Sequence, residues 1–122
     1  MASAPVDRVH LERLATRFGA HFLIQLIDLF IAQGRERLAA AEEGVATGNV
    51  AAIIAAAHAL KSSAGNLGAP SLGQCAADLE RRGSSGASAE SLGPMVVALA
   101  DAFAAVCTAL QATRTDVERR TA

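Results

Sequence analysis

Aromatic side chains are nearly missing from this chain: tryptophan and tyrosine do not occur, and four phenylalanines make up the whole 3% aromatic content. Strands of a β-sandwich draw on Val, Thr, Tyr and Trp, so scarce rings beside abundant alanine point to closely approaching helices and an all-α fold. Charge of one sign is lacking as well. A formal net charge of −1, with no basic run and no stacking platform, leaves no footprint for nucleic acid or an anionic membrane. The only two cysteines, Cys75 and Cys107, fall on core-facing positions of predicted helices, which reads as small buried apolar residues. There is no glycine-rich nucleotide loop with its lysine and no acidic cluster spaced to hold Mg²⁺. No autonomous kinase or ATPase machinery is therefore expected, so the chain is not read as an enzyme and should need a partner for chemistry of that kind. The first residues, Met1 to Arg8, contain no apolar segment of the signal-peptide type, so a cytoplasmic location is expected.

What is present is a repeated helical pattern. A length of 122 residues at 52% hydrophobic content suits one domain with one modest core, spanning 1–122. Leu11, Leu14 and Phe18 mark one face of a short helix over about 6–18, ended by Gly19. A helix so short must pack on the rest of the domain. The next helix, about 20–46, places Phe22, Leu23, Leu26, Ile27, Phe30, Leu38, Ala41 and Val45 within an arc of about 160°. Ile24, Leu29 and Ile31 fall outside that arc, either beneath the N-terminal helix or in an exposed apolar patch. Gly48 and Asn49 supply a stop and a cap before a third helix, about 50–67. Gly68-Ala69-Pro70 then separates it from a fourth, about 70–82, with Leu72, Cys75, Ala76 and Leu79 inward. Beyond the glycine- and serine-rich stretch 83–88 a long helix, about 90–118, carries Leu92, Val96, Leu99, Phe103, Val106, Cys107, Leu110 and Val117 on one face. Pro94 fits that helix only in its first turn or at a kink. Asp101 lies on the opposite side, which favours an amphipathic bundle helix over a membrane span. Single apolar stripes joined by short links predict an antiparallel up-down four-helix bundle with a short additional N-terminal helix over one end.

The third helix carries the chemistry. Ile54, His58, Lys61, Ser62 and Gly65 form a second stripe beside the core stripe, and His58, about 120° from the core centre, should face solvent. Lys61 is the only lysine in the chain, and at i+3 it shares a face with His58. Gly65 bares the same stripe at a cost of about 1 kcal/mol in helix propensity, which suits close approach by another protein. An imidazole titrates near pH 6.5, so a ring nitrogen is free to act as a nucleophile at neutral pH without a separate base. A phosphoryl group on it would carry about −1.5 to −2 charge. One cation at about 4 Å stabilises a unit charge by about 1 to 4 kcal/mol, depending on the local dielectric. Lys61 is thus an electrostatic support. His10 and His21, on other helices, read as surface or helix-end residues, and the three histidines are too widely spaced for a metal site.

The run His58-Ala59-Leu60-Lys61-Ser62-Ser63-Ala64-Gly65-Asn66-Leu67-Gly68-Ala69, followed by Leu72, Cys75 and Leu79-Glu80, resembles the histidine-containing phosphotransfer (HPt) domain. Phe22 to Phe30, Arg35 to Gly48 and the long last helix also fit that family. The resemblance implies a four-helix bundle in which His58 is the phosphoacceptor, Lys61 its electrostatic neighbour, and Gly65, with Ser62 and Ile54, part of the docking surface. It implies partners that are receiver domains of a hybrid sensor kinase or a response regulator, which bring the acids and the Mg²⁺, so that the chain holds no cofactor or metal of its own. The family often has glycine at +4, where this chain has Ser62, a hydroxyl able to bond the phosphate or the imidazole. The competing expectation is a helical adaptor that binds receivers or other signalling proteins without being phosphorylated. No unused heptad seam calls for a dimer, so a monomer is expected. The start at Met1 and the tail through Ala122 favour a free-standing protein over a segment of a larger sensor or chemotaxis kinase.

Overall fold

Capping residues set the helix boundaries. The structure, a computed structural model, describes residues 4–121; the first three residues of the stretch read as lacking a signal peptide lie outside them. Five helices follow in order: α1 (Arg8–Phe18), α2 (Ala20–Thr47), α3 (Val50–Leu67), α4 (Pro70–Ser84) and α5 (Ala89–Thr121). The Asp7 carboxylate accepts from the backbone N–H groups of Val9 and His10 at 3.0 and 3.3 Å. That cap starts α1 at Arg8, two residues later than the sequence pattern suggests, and Val6 goes into the core instead. Gly48 ends α2 in the left-handed conformation, and the Asn49 side chain caps α3 by accepting from Ala52 N–H at 3.1 Å. Pro70 occupies the first turn of α4, where its missing N–H costs nothing.

The α4–α5 junction differs from the expected one. Helix α4 runs to Ser84, not about residue 82, and Gly83 is helical and buried. A Cβ on Gly83 would lie 2.7 Å from Ile54 Cγ1, so this glycine is a point of close helix contact and not the start of a loop. Ser88 caps α5, its Oγ accepting from Ser91 N–H at 3.2 Å, which moves the start to Ala89 and puts Pro94 in the second turn. The helix continues through Pro94, because only the bond to the Glu90 carbonyl is forgone.

Links of a few residues make successive helices antiparallel. Helix α2 packs on α3 and α5, and α4 packs on the same two, closing the four into a ring. Leu23, Ile27, Ile53, Leu60, Leu72, Leu79, Leu99 and Leu110 fill its centre. Helix α5 is long and apolar enough to cross a membrane by length and composition, but its stripe from Leu92 to Val117 is committed to this core. Helix α1 closes one end. Asp7 N–H donates to the Gly68 carbonyl at 2.7 Å, His10 Nε2 bonds the Asn66 carbonyl at 2.9 Å, and Leu11 is fully buried. Gly68 serves this junction twice: its φ of +67° turns the chain, and a Cβ there would sit 2.9 Å from the His10 ring.

Phe22, expected on the core arc of α2, and Phe18, expected on the packing face of α1, both lie outside the core. Phe18 is 52% exposed and Phe22 40%. Gly19, at φ +96°, turns the chain so that the two rings meet each other at 5.0 Å on the surface, with the Arg17 guanidinium over Phe18. Of the three residues left outside the arc, Leu29 is 52% exposed, Ile24 is half-buried and Ile31 is buried. Cys107 is buried and Cys75 half-buried, both as free thiols, and burial pushes the Cys107 thiol above its ordinary value.

Candidate functional site

Helix α3 is built mainly of alanine and aliphatic residues, so its polar positions stand apart. Its core stripe of Ile53, Ala57, Leu60, Ala64 and Leu67 is buried, and the rotation this imposes turns His58 outward. The His58 side chain is 63% exposed. Its ring is not free, because Nδ1 lies 2.6 Å from Oε2 of Glu80 on α4. The other oxygen of the same carboxylate, Oε1, accepts from Lys61 Nζ, also at 2.6 Å. Glu80 therefore bridges the two residues of the α3 stripe, one on each oxygen. Its side chain is 21% exposed.

The hydrogen bond from Lys61, and after it the one from His58, hold the Glu80 carboxyl below its ordinary value of 4.5 against an opposing effect of burial. At neutral pH the group is a carboxylate. In this structure the Lys61 ammonium is directed at Glu80, a partner that the i+3 spacing to His58 did not anticipate.

The remaining stripe residues are distributed around this bridge. Ser62 is exposed, and among the described residues its hydroxyl bonds neither His58 nor Glu80. Ile54 is half-buried and turned toward α4, where it meets Gly83. Gly65 is exposed, and a Cβ there would meet nothing within 4 Å. Internal packing does not require glycine at that position, so its bare surface faces outward only. A groove of about 330 Å³ continues from there between α3 and α4, with Lys61, Gly65, Gly68, Pro70 and Gly73 along it and Asp7 at its end. His10 and His21 take no part; His10 instead caps the carbonyl end of α3. Among the described residues, no three His, Cys, Asp or Glu side chains gather to hold a metal ion.

Glu80 is the residue that sequence reasoning passed over, noting it only as the end of a motif. A signal for it exists. Gly73, Ala76, Glu80 and Gly83 recur at helical spacing, a face of small residues suited to close contact with a neighbouring helix, with a single acid in its middle. An acid at such a position must meet a partner on the facing helix.

The fold and this surface histidine define a class, that of small helical domains organised around an exposed imidazole. The chain belongs to the Hpt domain family, whose model matches residues 25–115. It is similar in structure to the histidine-containing phosphotransfer protein B (HptB) of Pseudomonas aeruginosa PAO1, with a TM-score of 0.83 at 22% identity, covering 94% of this chain and 98% of that one. It is similar also to the HPT domain of the Hpt sensor hybrid histidine kinase of Shewanella, with a TM-score of 0.78 at 13% identity, covering 93% and 96%. At these identities the two likenesses establish the fold. No curated protein matches the chain. Family membership carries a histidine phosphotransfer role in a phosphorelay.

Proposed function

We propose that the protein is a cytoplasmic phosphorelay intermediate in which His58 accepts a phosphoryl group from the aspartyl phosphate of one receiver domain and passes it to another. The donor in this reading is the receiver of a hybrid sensor kinase and the acceptor that of a response regulator. The observation that supports it is the exposed His58 ring beside the uncovered Gly65 surface, on a helix inside the region that matches the Hpt family. In the forward step the phosphorus–oxygen bond to the receiver aspartate breaks, a phosphorus–nitrogen bond forms on the imidazole, and the aspartate leaves as a carboxylate. Mg²⁺ and the acids that bind it belong to the receiver, so this chain contributes the nucleophile, its electrostatic setting through Lys61, and a docking surface that includes Ser62, Gly65 and Ile54.

The experiment is incubation with a phosphorylated receiver and Mg²⁺. Wild-type protein is expected to gain an acid-labile phosphate that His58→Gln abolishes. Absence of transfer from every receiver of the source organism would refute the reading. Signalling that survives His58→Ala would instead establish the adaptor role.

A further inference from the structure

Helix α3 puts different neighbours on the two sides of His58. Around the helix, Ile54 and Lys61 lie about 40° and 60° to one side of it, and Ser62 about 40° to the other. The first side is that of α4, because Ile54 meets Gly83 and Lys61 donates to Glu80. The ring follows the same division. Its Nδ1 is turned to Glu80 at 2.6 Å, so Nε2, on the far edge, points away from α4 and toward the side that carries Ser62. Side chains on a helix lean toward its N-terminus, which brings the Ser62 hydroxyl over the turn that holds His58. That hydroxyl is uncommitted. Thr108, Thr113 and Thr115 each donate to the carbonyl four residues back, at 3.0 to 3.1 Å. Ser62 is exposed and makes no such bond among the described residues.

We propose that Ser62 is a ligand of the phosphoryl group carried on His58 Nε2: its hydroxyl donates to a phosphoryl oxygen on the side of the ring that Lys61, bonded to Glu80, does not cover. This rests on His58 being the phosphoacceptor. The phosphoryl group brings about −1.5 to −2 charge and three acceptor oxygens, and a hydrogen bond to an ionised acceptor is stronger than one between neutral groups. Before transfer the Ser62 hydroxyl faces solvent. After transfer it exchanges a bond to water for one to the phosphoryl oxygen, so the interaction stabilises the phosphorylated carrier alone. Glycine at this position would leave that side of the group to solvent. Serine therefore gives a carrier that holds its phosphoryl group more strongly against return to a receiver.

The test needs no receiver. Phosphoramidate loads the full chain: its phosphorus–nitrogen bond breaks, ammonia leaves, and the phosphoryl group bonds to Nε2. The ³¹P resonance, assigned by its absence in His58→Gln, is then followed from about pH 8 to about pH 5, across the ordinary second ionisation of a protein phosphate near 6. Wild type, Ser62→Ala and Ser62→Gly are compared, with thermal unfolding confirming that each is folded. Lys61 and Glu80, the charged side chains beside the ring, are common to all three, so a difference reports position 62. A donor to the dianion disfavours its protonation. Both variants are expected to bind that proton about 2- to 10-fold more tightly than wild type, the range of one net hydrogen bond. Titrations within about 1.5-fold of one another, below the smallest effect of such a bond, would overturn the role of Ser62 and leave His58 as the acceptor. An alanine variant that titrates as wild type while the glycine variant differs would overturn it too, since the Cβ and not the hydroxyl would then be responsible. If phosphoramidate leaves wild-type His58 unmodified, the acceptor reading itself falls, and the role of Ser62 with it.

Discussion

Helices α3 and α4 meet through alanine and glycine, whereas α2 and α5 meet through rings and a charged clamp. In the first pair Ile54 lies over Gly83, and Gly73 faces the Ala64 methyl. In the second, Phe30 and Phe103 pack at 5.7 Å, Gly34 leaves room for the Phe103 ring, and Arg114 grips Asp28 with bonds of 2.8 and 3.0 Å. Small residues let backbones approach, and approach is what lets a side chain of ordinary length on α4 reach two residues of α3. The ring-filled pair makes a thick apolar wall. Its ion pair sits at the outer edge, where solvent screens it. The difference separates two jobs: α2 and α5 supply the stable side of the bundle, and α3 and α4 supply the side on which polar groups are held to fixed distances.

Breaking the wall should have the largest effect. Phe103→Ala removes a buried ring that touches both Phe30 and the space over Gly34, and is expected to cost about 3–5 kcal/mol in urea unfolding. The ¹⁵N shifts of the His58 ring should be unchanged while the protein remains folded. A change in those shifts would mean that the two helix pairs are not separate in function.

Closing the gap between α3 and α4 should cost less stability but reach the site. Gly83→Leu forces a side chain against Ile54 and is expected to destabilise by about 1–3 kcal/mol through overpacking. Because Gly83 is one turn from Glu80, α4 should move away from α3 and lengthen the bond from Glu80 to His58. Nitrogen shifts of the His58 ring moved toward mixed tautomers, as when Nδ1 loses its Glu80 acceptor, would support this. Unchanged shifts would show that the carboxylate reaches the ring without the close helix contact.

The smallest effect is in the acid limb of stability, and it sharpens the comparison because each pair holds one carboxylate with a lowered value. Glu80 is lowered chiefly by the bond from Lys61, and Asp28 chiefly by the bond from Arg114. A group depressed in the folded state stabilises fully above its unfolded value, and this contribution is lost as pH falls through the folded one. For Glu80 the loss begins near its ordinary 4.5, and for Asp28 near 3.8. Glu80→Gln should therefore flatten the upper part of the acid limb, with the part below it, due to Asp28, retained. Urea midpoints measured from neutrality into the acid range test this, and identical limbs in wild type and variant would remove Glu80 from the account.

Much of the bundle was legible from local signals. The stop at Gly48, the cap at Asn49, the turn at Gly68 and the proline at position 70 act within a few residues of themselves, so they read directly from the chain. The separation of His58 from the Leu60 stripe follows from helical spacing alone. Burial at the edge of an arc did not read correctly. Phe22 has the same hydropathy inside or outside a core, and its exposure depends on how Gly19 sets α1 against α2. Gly83 misled for a related reason, since a glycine that admits a neighbouring helix looks in sequence like one that opens a loop.

By itself the sequence determined the five helices, their order, the short links that make them antiparallel, and the outward stripe of His58, Lys61, Ser62 and Gly65, because periodicity and capping are properties of neighbours along the chain. Only the tertiary structure decided that Lys61 turns to Glu80, that Phe18 and Phe22 pair outside the core, and that the His58 ring is held at Nδ1. Glu80 stands 22 residues from His58. Its carboxylate reaches the ring only after two helices have packed in one register, and that register is set by every side chain between them rather than by either residue.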